Sequence, residues 1–253
     1  MQRGQVIRIL GPIDLWTPRA VVPIGSRNLR ALLGGLAISV GHAAPADHLE
    51  YVIWGEEPPA SAANTLQSYV SRLRHLLGSD AVVSEDHSYK LIADVGQIDA
   101  LRFEQLLGQA TELRNEPDRS HPLCRKALEL WRGPPFGELA DEEPFHLEAM
   151  RLDELRIATM ELSLEAELAL GRHELVVGEL ESAVEEYPYR ERLWYLLIEA
   201  LARDDRRVEA IRTCQRLRAM LAGVGLDATD ELRTVEDRIL GATRTTVNNG
   251  APS

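Results

Sequence analysis

Cysteine is scarce in this chain of 253 residues: Cys124 and Cys214 stand 90 positions apart, each among helix-forming residues. With no CxxC spacing and no nearby histidine pair, they exclude a cysteine zinc site and a disulfide scaffold. Two ordinary thiols, buried or half-buried in a reducing cytoplasm, are expected. Long apolar runs are also missing, so no signal peptide or membrane span is readable. No GxxxxGKS run exists, and Gly223-Val224-Gly225 follows a helical segment instead of a strand, which makes it a helix end and not a phosphate cradle. The acids Asp141, Glu142, Glu143 and Glu148 near His146 lack metal-ligand spacing. No nucleophile, base or cofactor cradle converges. The chain reads as a non-enzyme needing neither metal nor cofactor.

Positive charge is short as well. The formal net charge is −12, which argues against a broad basic footprint for nucleic acid. Its distribution is uneven. Residues 1–95 hold eight Lys/Arg against nine acids, so they carry −1 and the remainder carries −11. A near-neutral N-terminal part can still present a basic face where its arginines converge.

That part opens on β-rich runs, Val6–Leu10, Ile13–Trp16 and Ala20–Ile24, separated by Gly11-Pro12 and Thr17-Pro18-Arg19. Ser26 offers a helix cap, and Leu29, Leu32, Leu33, Leu36 and Val40 follow at helical spacing. A second short helix runs from Pro45 to Trp54, and a third from about Ala60 to Leu77. Two strands, Ala81–Ser84 and Tyr89–Ala93, then flank a hairpin tip at Glu85-Asp86-His87-Ser88. Three helices closed by a hairpin make a winged helix, here with a leading antiparallel sheet. From Asp99 onward strand signals vanish. Helices are predicted near 99–114, 119–132, 144–170, 173–187, 190–203, 206–222 and 228–240. Leu168-Ala169-Leu170-Gly171-Arg172-His173 returns 33 positions later as Leu201-Ala202-Arg203-Asp204-Asp205-Arg206. That period is close to the tetratricopeptide length. Trp131, Tyr187, Tyr189, Trp194 and Tyr195 read as packing between these helices. The fold expected is an α+β winged helix with a leading sheet over 1–95, an all-α tetratricopeptide-like domain over 98–241, and a disordered tail over 242–253.

The third helix carries the function. At 100° per residue Leu66, Val70, Leu73 and Leu77 share one stripe, the core face. Asn64, Ser68, Ser71, Arg72 and His75 fall opposite, with Gln67 and Arg74 on one flank. That exposed side has amides, hydroxyls and guanidinium groups and no carboxylate, in a chain otherwise rich in them. Amides pair with adenine edges and arginine with guanine or phosphate. A solvated helix face is the bland alternative, and the loop before and the wing behind weigh against it.

Several runs also resemble the antibiotic-regulatory-protein family of actinobacterial activators. They are Gly55-Glu56-Glu57-Pro58-Pro59-Ala60 leading into Asn64 through Arg74, Ala127-Leu128-Glu129-Leu130-Trp131-Arg132-Gly133-Pro134-Pro135, the Leu168–His173 run, and Tyr187-Pro188-Tyr189-Arg190-Glu191-Arg192-Leu193-Trp194. The likeness runs from about Val6 to Leu240. It implies an OmpR-type winged helix joined to a bacterial transcriptional activator domain, with residues 62–77 as recognition helix and 81–93 as wing. It further implies that Glu56, Glu57, Pro58 and Pro59 approach RNA polymerase, and that a homodimer sits on a direct repeat of promoter DNA in the cytoplasmic nucleoid. Candidate DNA contacts are Arg27 and Arg30 on phosphates, then Asn64, Gln67, Ser68, Ser71, Arg72, Arg74, His75 and Lys90.

Two features depart from the family. The wing carries Glu85 and Asp86, which repel phosphate, where relatives have basic or proline-glycine tips. Gly34-Gly35 interrupts the first helix at a cost of roughly 1 kcal/mol each against alanine, so either something packs tightly there or the helix is weak. The competing reading is a protein-interaction module or co-regulator whose winged helix has little DNA affinity.

Overall fold

The computed structural model describes residue 1, residues 4–227 and residues 230–247. The chain forms two compact units, one of Met1–Glu112 with Pro122–Thr159, the other of Leu113–His121 with Met160–Ser253.

The first unit opens on an antiparallel sheet of β1 (Val6–Arg8), β2 (Asp14–Trp16) and β3 (Val21–Pro23). Ile7 faces Leu15 and Leu15 faces Val22, which puts the buried side chains of β1 and β2 on one face. Helix α1 (Arg27–Ile38) starts where the Ser26 hydroxyl accepts the Leu29 N–H, as its sequence position predicts. Strand β4 (Ala44–Pro45) leads into α2 (Ala46–Trp54), which Gly55 ends at a φ of +70°. Then come α3 (Ala62–Leu77), β5 (Val82–Glu85) and β6 (Ser88–Leu91), with the second sheet ordered β4-β6-β5. This is the winged helix with its leading sheet. The hairpin tip is tighter than predicted. Glu85 pairs with Ser88, and Asp86 and His87 alone make the turn, both at positive φ, which matches the right-handed strand twist.

The same unit includes α4 (Asp99–Glu112), most of α5 (Pro117–Leu128) and the first part of α6 (Phe145–Ala169). These close over the chain that leaves β1. The Asp99 carboxylate accepts the Ile9 and Leu10 N–H groups at 2.8 and 3.1 Å, and the Arg132 and Phe136 N–H groups donate to Leu10 O and Ile9 O. Helix α5 stops at Leu128, short of the predicted 132, and the Arg132 N–H is taken by Leu10 O in the bend that follows β1. Burial pushes the Asp99 carboxyl up to about 6, against those backbone N–H groups and the Arg132 guanidinium, which favour its charge.

The glycine pair in α1 has a physical reason. A Cβ on Gly34 would lie 2.8 Å from the Phe145 ring, and one on Gly35 would lie 2.9 Å from Val52 Cγ1. Gly34 is the notch into which α6 drops its first residue. The roughly 1 kcal/mol that each glycine costs in helix propensity is offset by this packing.

The second unit holds α7 (His173–Glu186), α8 (Glu191–Arg203), α9 (Arg207–Gly223) and α10 (Asp230–Val247), with the end of α6. Its core runs through Leu180, Leu193, Leu197, Leu201, Cys214 and Leu217. The helices repeat every 34 residues, not 33: α6 and α8 end at 169 and 203, and α7 and α9 begin at 173 and 207. The turns show why. Gly171 and Asp205 both take the left-handed conformation, and the Arg172 and Arg206 N–H groups each bond the carbonyl five residues back. Helix α10 carries on to Val247, past the residue 242 at which a tail was expected to start; the last six residues of that tail lie outside the described residues. Among the described residues no helix is long and apolar enough to cross a membrane.

Candidate nucleic-acid interface

Helix α3 divides its residues as its periodicity dictates. Leu66, Val70, Leu73 and Leu77 are buried, and Asn64, Gln67, Ser68, Ser71, Arg72 and His75 are exposed. Ala62 and Thr65 open the helix through N–H bonds to Pro59 O and Ser61 O. The Ser68 hydroxyl donates to Asn64 O at 3.0 Å, so its lone pairs face outward. Trp54 stacks on Tyr69 with ring centroids 6.3 Å apart and fixes the end of α2 against α3. Between them Glu56, Glu57, Pro58 and Pro59 form an exposed loop.

Five cations were candidates for DNA, and the fold treats them differently. Arg72 is exposed and makes no hydrogen bond or ion pair among the described residues. Lys90, half-buried on β6, is likewise unpaired among them. Arg74 is half-buried and turned to the wing: its Nε donates to Val82 O at 2.8 Å and its Nη2 to Ser84 Oγ at 2.7 Å. Arg30 donates to Glu138 at 2.9 Å and to Ile24 O at 2.6 Å, and Arg27 pairs with Glu142. Both α1 arginines therefore join α1 to the segment before α6. The structure brings together α3, Arg74 and the wing, places Lys90 opposite Val83 on the other face of the wing from Ser84, and pairs Arg27 and Arg30 with carboxylates.

Between α3 and the wing lies a groove of about 500 Å³, lined by Gln67, Arg74, Glu85 and His87 among others. The wing tip carries Glu85 and Asp86, both exposed, into the open side of that groove. Neutral donors and acceptors of α3 thus dominate its outer face, with the free Arg72 guanidinium on the flank away from Arg74 and the carboxylates of Glu50, Glu85 and Asp86 along the groove. Such a surface can read base edges and gains little from phosphates.

Sequence reasoning missed the residues that occupy the α1 arginines. Glu138 and Glu142 lie more than 100 positions away from their partners, and nothing in their own neighbourhood marks them. Asp99 and Arg132 were also missed, because a buried acid holding two distant N–H groups leaves no spacing to read.

Residues 98–240 match the bacterial transcriptional activator domain family. The chain is 35% identical over 241 residues to the regulatory protein AfsR of Streptomyces griseus, covering 92% of this chain and 24% of that protein. It is 33% identical to the transcriptional regulatory protein EmbR of Mycobacterium tuberculosis, over 92% of this chain and 62% of that protein. The regulatory protein DnrI of Streptomyces peucetius is 30% identical, with 93% and 92% covered. The chain thus spans about a quarter of the AfsR length and most of DnrI. A solved structure of Mycobacterium tuberculosis EmbR in complex with a low affinity phosphopeptide superposes with a TM-score of 0.89 at 30% identity, over 95% of this chain and 66% of that one.

Proposed function

The chain belongs to the antibiotic-regulatory-protein family of actinobacterial transcription regulators, whose members are not enzymes, and we propose that it binds promoter DNA in a sequence-specific way and recruits RNA polymerase there. The carrying observation is the outward face of α3, open, free of carboxylates and flanked by a wing. In this reading residues 1–95 supply the DNA reader and 98–241 the activator domain. Helix α3 lies in the major groove, where Asn64, Gln67 and Arg72 reach base edges and Ser68, Ser71 and His75 line the approach. The Glu56–Pro59 loop meets polymerase, and a homodimer occupies a direct repeat, both by analogy with the family. A cytoplasmic, nucleoid-bound location follows from the same reading.

A second reading is supported by a specific observation. Three of the five candidate cations are bonded to acceptors of the protein itself and the wing tip is acidic, which suits a co-regulator with weak DNA affinity. One experiment separates the two. Fluorescence anisotropy of the full chain on its own regulatory DNA and on a scrambled duplex, across a salt series, shows preference for the first if the DNA reading holds. Arg72→Ala then costs roughly 1–3 kcal/mol on the specific duplex alone. Equal retention of both duplexes by both proteins sinks the DNA reading and leaves the co-regulator.

A further inference from the structure

We propose that Arg74 is a positioning residue: it straps the wing to the recognition helix and sets their mutual angle, and does not itself touch DNA. The inference rests on the DNA-reading function given above. Strand β5 is an edge of the β4-β6-β5 sheet, with β6 on its inner side. The Ile92 N–H bonds Ala81 O at 2.8 Å, and hydrogen-bonded pairs alternate along an antiparallel ladder, so the Val82 carbonyl points away from β6 to the open edge. Arg74 Nε meets that carbonyl, and Nη2 reaches the Ser84 hydroxyl two residues on. The planar guanidinium fork bridges two acceptors with donors fixed in direction, a geometry that a compact ammonium does not reproduce. On the inner side the wing is fixed again: β4 pairs with β6, and the Ala46 N–H at the head of α2 bonds His87 O at 2.9 Å.

The wing is therefore held from both edges, by α3 through one side chain and by α2 through its backbone. Releasing the outer edge leaves β5 held by its ladder to β6 and by the buried Ala81 and Val82 alone, so its exposed end at Ser84 and the Glu85-Asp86 tip gain freedom. A reader needs its base-contacting helix and its wing in one fixed geometry. Arg72, two residues earlier, projects on the opposite side of the helix and remains the direct contact. The two arginines of one short run thus divide the labour.

Arg74→Ala, Arg74→Lys and Ser84→Ala of the full chain test the strap, with circular dichroism as the folding control. In hydrogen exchange without DNA, Arg74→Ala is expected to speed the wing amides over 81–92 and leave those of the 34-residue repeat unchanged, with Ser84→Ala acting in the same direction and less. Unchanged wing exchange in both overturns the strap. On regulatory DNA, Arg74→Ala and Ser84→Ala each weaken binding, the double variant is no worse than Arg74→Ala, and the salt slope stays at the wild-type value. Full rescue by Arg74→Lys, or a slope that falls by about one with Ser84→Ala neutral, means a phosphate contact and overturns the proposal. Should the wild-type chain fail to distinguish the duplexes, the DNA reading falls while the exchange experiment still decides the strap.

Discussion

Helices α1 and α3 belong to one unit, and each displays arginines beside an apolar stripe, yet they have opposite fates. Around α1 the glycines are covered and both arginines are paired. Phe145 fills the notch at Gly34, Val52 presses on Gly35, and Glu138 and Glu142 take Arg30 and Arg27. Around α3 the outer face is left open, and the one side chain drawn inward, Arg74, serves the wing. An arginine's position on a helix does not set its role. What lies opposite it does, and for α1 that is a segment over 100 residues later.

The closed side breaks hardest at Phe145. Phe145→Ala removes a fully buried ring facing a glycine that cannot fill the space, so urea denaturation should show a loss of about 3–5 kcal/mol. A loss under about 1 kcal/mol refutes the notch, since a ring truncated at a site able to collapse costs little.

Asp99 gives the closed side a pH dependence. An ordinary aspartate releases its proton near 3.8, whereas in the folded protein Asp99 does so at about 6. The folded state holds a proton that the unfolded state has lost between these values. Stability from this group is complete below the lower value and is lost as pH rises through about 6, by at most roughly 3 kcal/mol. Asp99→Asn cannot titrate, so wild type should lose ground to it between about pH 4 and about pH 7. A gap that stays constant across that range rules out the raised value.

Gly34→Ala tests local against tertiary preference with one methyl group. Helix propensity favours alanine by about 1 kcal/mol, while the 2.8 Å approach to Phe145 opposes it with an overpacking penalty of about 1–3 kcal/mol. Net destabilisation is expected in thermal melts. A stabilised variant means the ring yields freely.

The smallest effect is expected where α1 meets the DNA reading. Arg27→Ala and Arg30→Ala should leave affinity for regulatory DNA within about 0.5 kcal/mol of wild type, against the 1–3 kcal/mol for Arg72→Ala. With Arg72 and Lys90 as the free cations of the five candidates, the log–log salt slope should be shallow, about −2 per bound protomer. A slope far steeper, or an Arg27 effect equal to that of Arg72, would show that DNA displaces the carboxylates.

The amphipathic periodicity of α3 placed its exposed and buried residues correctly, since a 3.6-residue repeat against one core leaves no freedom. Helix positions after Asp99 were legible for the same reason. The matching Leu-Ala pairs give a period of 33, one short of the true repeat, because Gly171 and Asp205, not the leucines, keep equivalent places in the turns. The end of α5 is not legible because a helical pattern cannot show that Leu10, over 100 residues earlier, claims the Arg132 N–H.

Local order was written in the chain: which segments coil, which side of each is apolar, and where Ser26 starts a helix or Gly55 stops one. These follow from backbone sterics and from apolar spacing within a few residues. Only folding decided that Gly34 makes a seat for Phe145 and Gly35 one for Val52, that Arg27 and Arg30 meet acids, and that Arg74 meets a strand edge. Each of those outcomes depends on atoms brought together from separate parts of the chain, and a side chain's charge or volume carries no record of what will stand opposite it.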